Sequence, residues 1–352
     1  MIFLKDRNYA LGIVPFMKIK AILLSIFCVS SQSAVIHAET AGLTFRGKAG
    51  PGQAKHVVLI AGDEEYRSED VMPMLGKVLS QRHGFNCTVL FSVSSDGVID
   101  PNAQASLTHP QALDSADAII MLIRFRKWSD EAMKHFDDAM ERGVPVIGLR
   151  TSTHAFQLTD ASKFKRYNNF GKDVLGEKWV SHWGKHKVEA TRGVVEAANA
   201  ADPILRGVSD VFGDSDVYEA APPADAKILM RGQVLAGMYA DDAPANYSKK
   251  RADGQEQPIN EPMMPIAWTR ELKKNSGKTQ KVFCTTMGAA TDMASEGLRR
   301  LVVNGLYWSL GMPVPAKADV TPIGEFKPLM YGNNVFHRNV KPSSHALGAA
   351  SK

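Results

Sequence analysis

Polar and titratable side chains collect just beyond four apolar runs of this chain. "KHVVLIAG" (55–62) runs into Asp63, Glu64, Glu65, Tyr66 and Arg67. "ADAIIMLIRF" (116–125) leaves Arg124 and Arg126, and "VPVIGLR" (144–150) ends on Arg150, followed by Thr151, Ser152, Thr153 and His154. "QKVFCTTMG" (280–288) adds Thr285 and Thr286, and "HWGKH" supplies His182 and His186. A carboxylate among cations can give or take a proton, and histidine titrates near neutral pH. A guanidinium is a fixed cation with a planar set of donors, suited to a carboxylate, a polyol or a developing negative charge. Convergence of such groups at strand ends marks a pocket.

On these grounds Asp63, Glu64, Arg150, His154 and His182 are the catalytic candidates. Arg67, Arg124, Arg126, Thr151, Thr153, His186, Trp183, Tyr218 and Thr286 are the substrate-binding candidates, with Trp179, Trp183 and Tyr218 offering flat faces to a sugar ring. Structural readings stand beside these. Glu69 suits a helix N-terminus. The arginines and acids can form a network that orders loops, and Thr151 and Thr153 can cap a helix. The aromatic residues can be core. His182 and His186 have the i, i+4 spacing of a helical metal pair, but Gly184 between them argues against a helix. No metal or cofactor is assigned. Ser152, two residues past the corner at Arg150, lacks the G-x-S-x-G setting of a serine nucleophile.

The runs that carry these residues are continuous and apolar, as strands buried on both faces must be. "SEDVMPMLGKVLSQRHG" and "SDEAMKHFDDAMERG" have helical spacing between the first strands, with Ser129 as N-cap and Gly84 and Gly143 as stops. Pro73 is expected in the first turn. Strand, helix, strand, strand, helix, strand predicts a parallel sheet with helices on both faces, its strand exits on one edge. Residues 161–186 read as a long excursion over that edge. Short strands are expected at "KVEAT", "DVYEA", "KILMRGQ" and "MPIAWTREL", a closing helix at "SEGLRRLVVNGLYWSLG", and a flexible polar loop at 241–262.

The N-terminus has the form of an export signal. Lys18 and Lys20 precede "AILLSIFCVSSQSAVI", and "VIHA" ending at Ala38 fits a cleavage site; residues 1–16 read as an upstream extension. The expected organisation is a signal at 1–38, a linker at 39–54, one domain at 55–312 and an extended coil tail at 313–352. The mature protein is expected in the periplasm or outside the cell, with no stable membrane span. Cleavage leaves Cys87 and Cys284, too few for a disulfide framework and both expected as buried thiols. A net charge of +5 without a long Lys/Arg run gives nucleic-acid binding little support. Self-association stays open.

"HVVLIAGDEEYRSED", "RFRKWSDE", "GVPVIGLRTSTHAF", "WVSHWGKH", "RGQVLAGM", "PMMPIAW" and "FCTTMGAATDMASEGLRRLVVNGLYWSLG", in this order, resemble the ThuA-like (trehalose utilisation) family, in particular its exported planctomycete-type branch. The resemblance implies a flavodoxin-like, doubly wound, mostly parallel sheet of the class I glutamine amidotransferase type. Amidotransferases of that fold carry a cysteine at the strand-to-helix elbow and a histidine after a late strand. Here Arg150 holds the elbow and "TTMGAATD" has no histidine. Cysteine chemistry needs a thiolate and an adjacent base, so glutamine hydrolysis is not expected. The expectation is a carbohydrate-related enzyme acting on a small sugar ligand. A sugar-binding module without catalysis, and a metal-dependent hydrolase using His182, His186 and Asp63, are the alternatives.

Overall fold

The computed structural model describes residues 42–349 apart from residue 275. The stretch expected to be an export signal, with Cys28, lies outside the described residues. Leu43–Phe45 (β1), His56–Gly62 (β2), Ser68–His83 (α1), Asn86–Leu90 (β3), Ala118–Ile123 (β4), Asp130–Glu141 (α2) and Val146–Leu149 (β5) make up the first half. The second half holds Thr191–Val195 (β6), Phe212–Gly213 (β7), Lys227–Val234 (β8), Ser248–Lys250 (β9), Glu256–Pro258 (β10), Met264–Lys273 (β11), Thr279–Thr285 (β12) and Glu296–Ser309 (α3).

Ten strands form one sheet in the order β1-β3-β2-β4-β5-β12-β11-β8-β6-β7. The central run β3-β2-β4-β5-β12 is parallel throughout. β1 adds antiparallel to one end, and β11, β8, β6 and β7 extend the other as an antiparallel series. The fold is therefore α/β and flavodoxin-like. Alternation along β2 shows why the sheet is covered twice. Val57 and Leu59 pack with Val71 and Leu75 of α1 and Leu298 and Leu301 of α3. Val58 and Ile60 pack with Met133 and Phe136 of α2 and with Phe156, Phe170 and Leu175 of the excursion. Burying both faces requires the unbroken apolar runs seen in the sequence.

The chain passes from β2 to β3 on one side and then crosses to β4 on the other. Strand order reverses there, and in open α/β sheets ligands bind outside the carboxyl ends at such a reversal. The exits of β2, β4 and β5 meet at this edge.

Several elements differ from expectation. Residues 43–45, inside the stretch read as a linker, form β1. The polar stretch 241–262 holds the β9–β10 hairpin. "DVYEA" is not a strand; only Tyr218 makes a bridge, to His182. Pro73 sits in the second turn of α1, because the helix begins at Ser68. The tail is mostly coil, and its residues 331–333 return to the strand exits.

Candidate functional site

At the β5 exit, Arg150 takes φ +38° in a sharp strand-to-helix elbow, a backbone region that non-glycine residues seldom enter. Its guanidinium is wholly buried and lies between two tyrosine rings, 4.3 Å from the centre of Tyr66 and 4.2 Å from that of Tyr218. Nη1 donates to the carbonyls of Asp216 (3.0 Å) and Thr286 (2.8 Å). Nη2 donates to Asp216 Oδ1 (3.1 Å) and Tyr66 Oη (3.2 Å). Arg150 is thus an interior cation that anchors Asp216, with no face open to a ligand.

Asp216 is the hub of the site. Its carboxylate is wholly buried and meets two histidines: Oδ2 lies 2.7 Å from His182 Nδ1, and Oδ1 lies 2.9 Å from His186 Nδ1. Burial pushes this carboxyl up, but the His182 and His186 hydrogen bonds and the Arg150 charge outweigh it and hold it well below the usual range. The rings of His182 and His186 stand 4.5 Å apart, and their side chains are 34% and 28% exposed, so solvent reaches both. No helix carries them. The His182–Tyr218 bridge and the Trp183 and Gly184 N–H groups, both donating to Val217, hold the segment beside Asp216 instead.

A line of ion pairs runs outward from His186. Its Nε2 lies 3.1 Å from Glu65 Oε1, and Arg124 Nη1 donates to Glu65 Oε2 at 2.6 Å. Arg124 Nε faces Glu64 Oε1 at 3.2 Å, and Arg126 Nη2 donates to Glu64 Oε2 at 2.7 Å. Burial and the neighbouring Asp63 raise the Glu64 carboxyl above its ordinary value, against the pull of both arginines. Gly62 makes room for this arrangement, since a Cβ there would stand 3.1 Å from Arg126 Cδ.

The structure therefore brings Glu64, Arg124, His182 and His186 together near solvent and withdraws other candidates from it. Asp63 is wholly buried; its carboxylate accepts from the Glu65 and Tyr66 N–H groups and from Thr151 Oγ1, which fixes the loop after β2. Thr151 is occupied by that bond, and Thr153 Oγ1 donates to the Arg150 carbonyl. Ser152 is buried and donates to the Met121 carbonyl. Arg126 is wholly buried and also donates to the Arg124 and Pro101 carbonyls. Arg67 is buried against Glu69 with 2.6 Å between charged atoms, under Phe336. Trp183 is core, its indole donating to the Ile259 carbonyl. Tyr218 is buried against Arg150, and Thr286 is buried with its carbonyl on Arg150. His154 lies between Phe125 and Trp179, and burial lowers it to about 3, so it is neutral near pH 7. Cys87 and Cys284 are buried, which pushes both thiols up and leaves no thiolate near neutral pH.

Four contributors escaped the list of candidates. Asp216 lay in a stretch that alternates like a strand. Glu65 was one of three acids in a row. Tyr331 and Asn333 come from the tail: Tyr331 stacks on Tyr66 with 5.0 Å between ring centres, and Asn333 Oδ1 accepts from Arg124 Nη2 at 3.0 Å. Nothing in a coil segment of that composition signals a long-range contact. Trp179, by contrast, does stand at the site. It is half-buried, 5.6 Å from His182 between ring centres, and its indole N–H has no partner among the described residues.

Fold and edge together define a flavodoxin-like α/β protein with a histidine–carboxylate centre at the carboxyl ends of its parallel strands. The chain belongs to the ThuA (trehalose utilisation) family, whose profile matches residues 57–309. Among solved structures it is similar to a ThuA-like protein from Parabacteroides merdae, at 14% identity over 74% of this chain and 92% of that one (TM-score 0.47). It is similar to another from Bacteroides uniformis, at 14% identity over 75% and 95% (TM-score 0.46). Comparison with curated proteins found no match. Among the described residues, no helix is long and apolar enough to cross a membrane.

Proposed function

We propose that the chain is an exported carbohydrate-converting enzyme whose reactive centre is His182, His186 and Asp216, with Glu65 behind His186. One observation carries this reading: two solvent-reached imidazoles are bound to a single wholly buried carboxylate. A buried acceptor fixes ring orientation, and fixed imidazoles at a solvent-reached edge serve proton transfer and hydrogen bonding to a polyol. The open Nε2 of His182 faces a sugar oxygen in this reading, Arg124 and Glu64 hold further hydroxyls, and the Trp179 ring receives the C–H face of a sugar. Family membership supports a substrate related to trehalose, and a keto sugar formed from a disaccharide suits proton transfer next to a carbonyl. Asp63, Arg150, Arg126, Thr151 and Thr153 act here as positioning groups.

The test incubates mature protein with trehalose and with its oxidised keto derivative and follows the sugars by NMR. Turnover is expected, falling roughly 100-fold or more in His182→Asn, as for loss of an acid/base group. Sugar binding without turnover would sink the enzymatic reading and leave a binding module. Neither binding nor turnover with any sugar would sink the carbohydrate reading itself. Export is tested separately: N-terminal sequencing of protein from its own cell is expected to begin at Glu39, and an intact leader on soluble cytosolic protein would refute it.

A further inference from the structure

We infer that His182, His186 and Asp216 bind one divalent transition-metal cation of the zinc class. The inference rests on the reading above and deepens it, because such a cation is the electrophile of that same centre, with positions left open for sugar oxygens or water.

Geometry is the first support. One donor atom from each of the three side chains lies within 4.8 Å of the others. The Nδ1 atoms of His182 and His186 stand 2.7 Å and 2.9 Å from the two Asp216 oxygens. Neighbouring ligands at about 2.1 Å from a metal are roughly 3.0–3.4 Å apart, so a cation enters with a slight opening of the cluster. Two imidazoles and a carboxylate with an open side are the donor set of a catalytic zinc site.

Hydrogen-bond accounting is the second. His186 faces a carboxylate with both ring nitrogens, Asp216 at Nδ1 and Glu65 at Nε2. A neutral imidazole has one N–H and can serve only one of them. With a metal on Nδ1, the single N–H sits on Nε2 and donates to Glu65. That is the carboxylate–histidine–metal arrangement which orients ligating histidines.

Charge is the third. Asp214 and Asp292 have no ion-pair partner of their own among the described residues, and both interact with the same Arg150 that serves Asp216. The carboxylates of Asp214, Asp216 and Asp292 thus share one guanidinium. Arg150 does not block the site: it holds Asp216 through Oδ1 and the main-chain carbonyl, and Oδ2 keeps a lone pair toward His182.

The experiment strips the mature protein with a chelator and titrates it with Zn²⁺ or Co²⁺ in the absence of sugar. One equivalent is expected to bind, with Co²⁺ giving visible d–d absorption from mixed nitrogen and oxygen ligands. His182→Asn and His186→Asn are each expected to abolish it. Glu65→Gln should weaken binding roughly 10–100-fold, as loss of a supporting carboxylate does. His135→Asn, at a histidine of α2 paired with Asp114, should leave it unchanged and controls for adventitious binding. Circular dichroism reports folding, and His182, the more exposed ligand, carries the test should the His186 variant not fold. Absence of stoichiometric binding, or binding indifferent to both histidine substitutions, overturns the proposal. Full sugar turnover in the chelated protein would overturn the cation's part while leaving the histidine centre standing. Metal binding without turnover of any sugar would do the reverse.

Discussion

The guanidinium of Arg150 and the carboxylate of Asp216 lie 3.1 Å apart with neither side chain exposed. This pair makes the elbow a fixed scaffold. Arg150 spends four hydrogen bonds on Asp216, Thr286 and Tyr66, and Asp216 presents the two histidines. Removing one partner of a buried pair strands the other charge, at about 3–5 kcal/mol. Arg150→Met is expected to lower unfolding free energy by that order in urea titrations. Arg150→Lys should restore only part of it, since an ammonium cannot reach four acceptors in a plane. Unchanged stability in Arg150→Met would show that the arginine is not the anchor described.

Glutamine hydrolysis is expected to be absent. The elbow carries Arg150, and Cys87 and Cys284 are buried thiols whose ionisation burial opposes. Ammonia release from glutamine should stay at background in the wild type and in Cys87→Ser and Cys284→Ser alike. A glutaminase rate that fell on either substitution would contradict this.

The excursion is held to the elbow at one very close approach. A Cβ on Gly171 would stand 1.8 Å from the Thr153 carbonyl oxygen, so backbone would have to move. Gly171→Ala is expected to destabilise by ~1–3 kcal/mol, the usual range for overpacking, and to shift the elbow that carries Arg150. A thermal melt combined with Co²⁺ binding would check both parts. A melting temperature within a degree of wild type would refute the close approach.

The sheet was legible because its central strands bury both faces, which forces long apolar runs, and because their exits must share an edge. Glu64, Arg124, His182 and His186 came from those exits and from the excursion. Asp216 did not, because "DVYEA" alternates like a strand while the chain there is fixed by tertiary bonds: Ser215 Oγ donates to Asp292 at 2.6 Å, and Thr191 Oγ1 to the Ser215 carbonyl at 2.7 Å. The i, i+4 spacing of His182 and His186 is not helical, as Gly184 between them indicates. They converge through the Tyr218 bridge. Tyr331 and Asn333 reach the site across the length of the fold, where no local period operates.

His154 provides the sharpest pH prediction. Its ring is wedged between Phe125 and Trp179. Burial first, with Arg124 and Arg150 adding to it and Asp63 opposing, lowers its pKa from the ordinary 6.5 to about 3. Between those two values the unfolded chain binds a proton that the folded chain refuses. Stability therefore rises with pH across this window, is complete above about 6.5, and declines as pH falls toward 3. Asp216 acts in the same direction lower down, its depressed pKa giving stability that is present above about 3.9 and lost as pH falls through its folded value. The difference between wild type and His154→Asn isolates the histidine, because asparagine does not titrate. Urea titrations of both at pH 4.5 and pH 7.5 are expected to show a steeper loss on acidification in the wild type. Equal losses in the two proteins would mean that His154 accepts its proton freely in the folded state, and that the wedge between Phe125 and Trp179 does not hold it neutral.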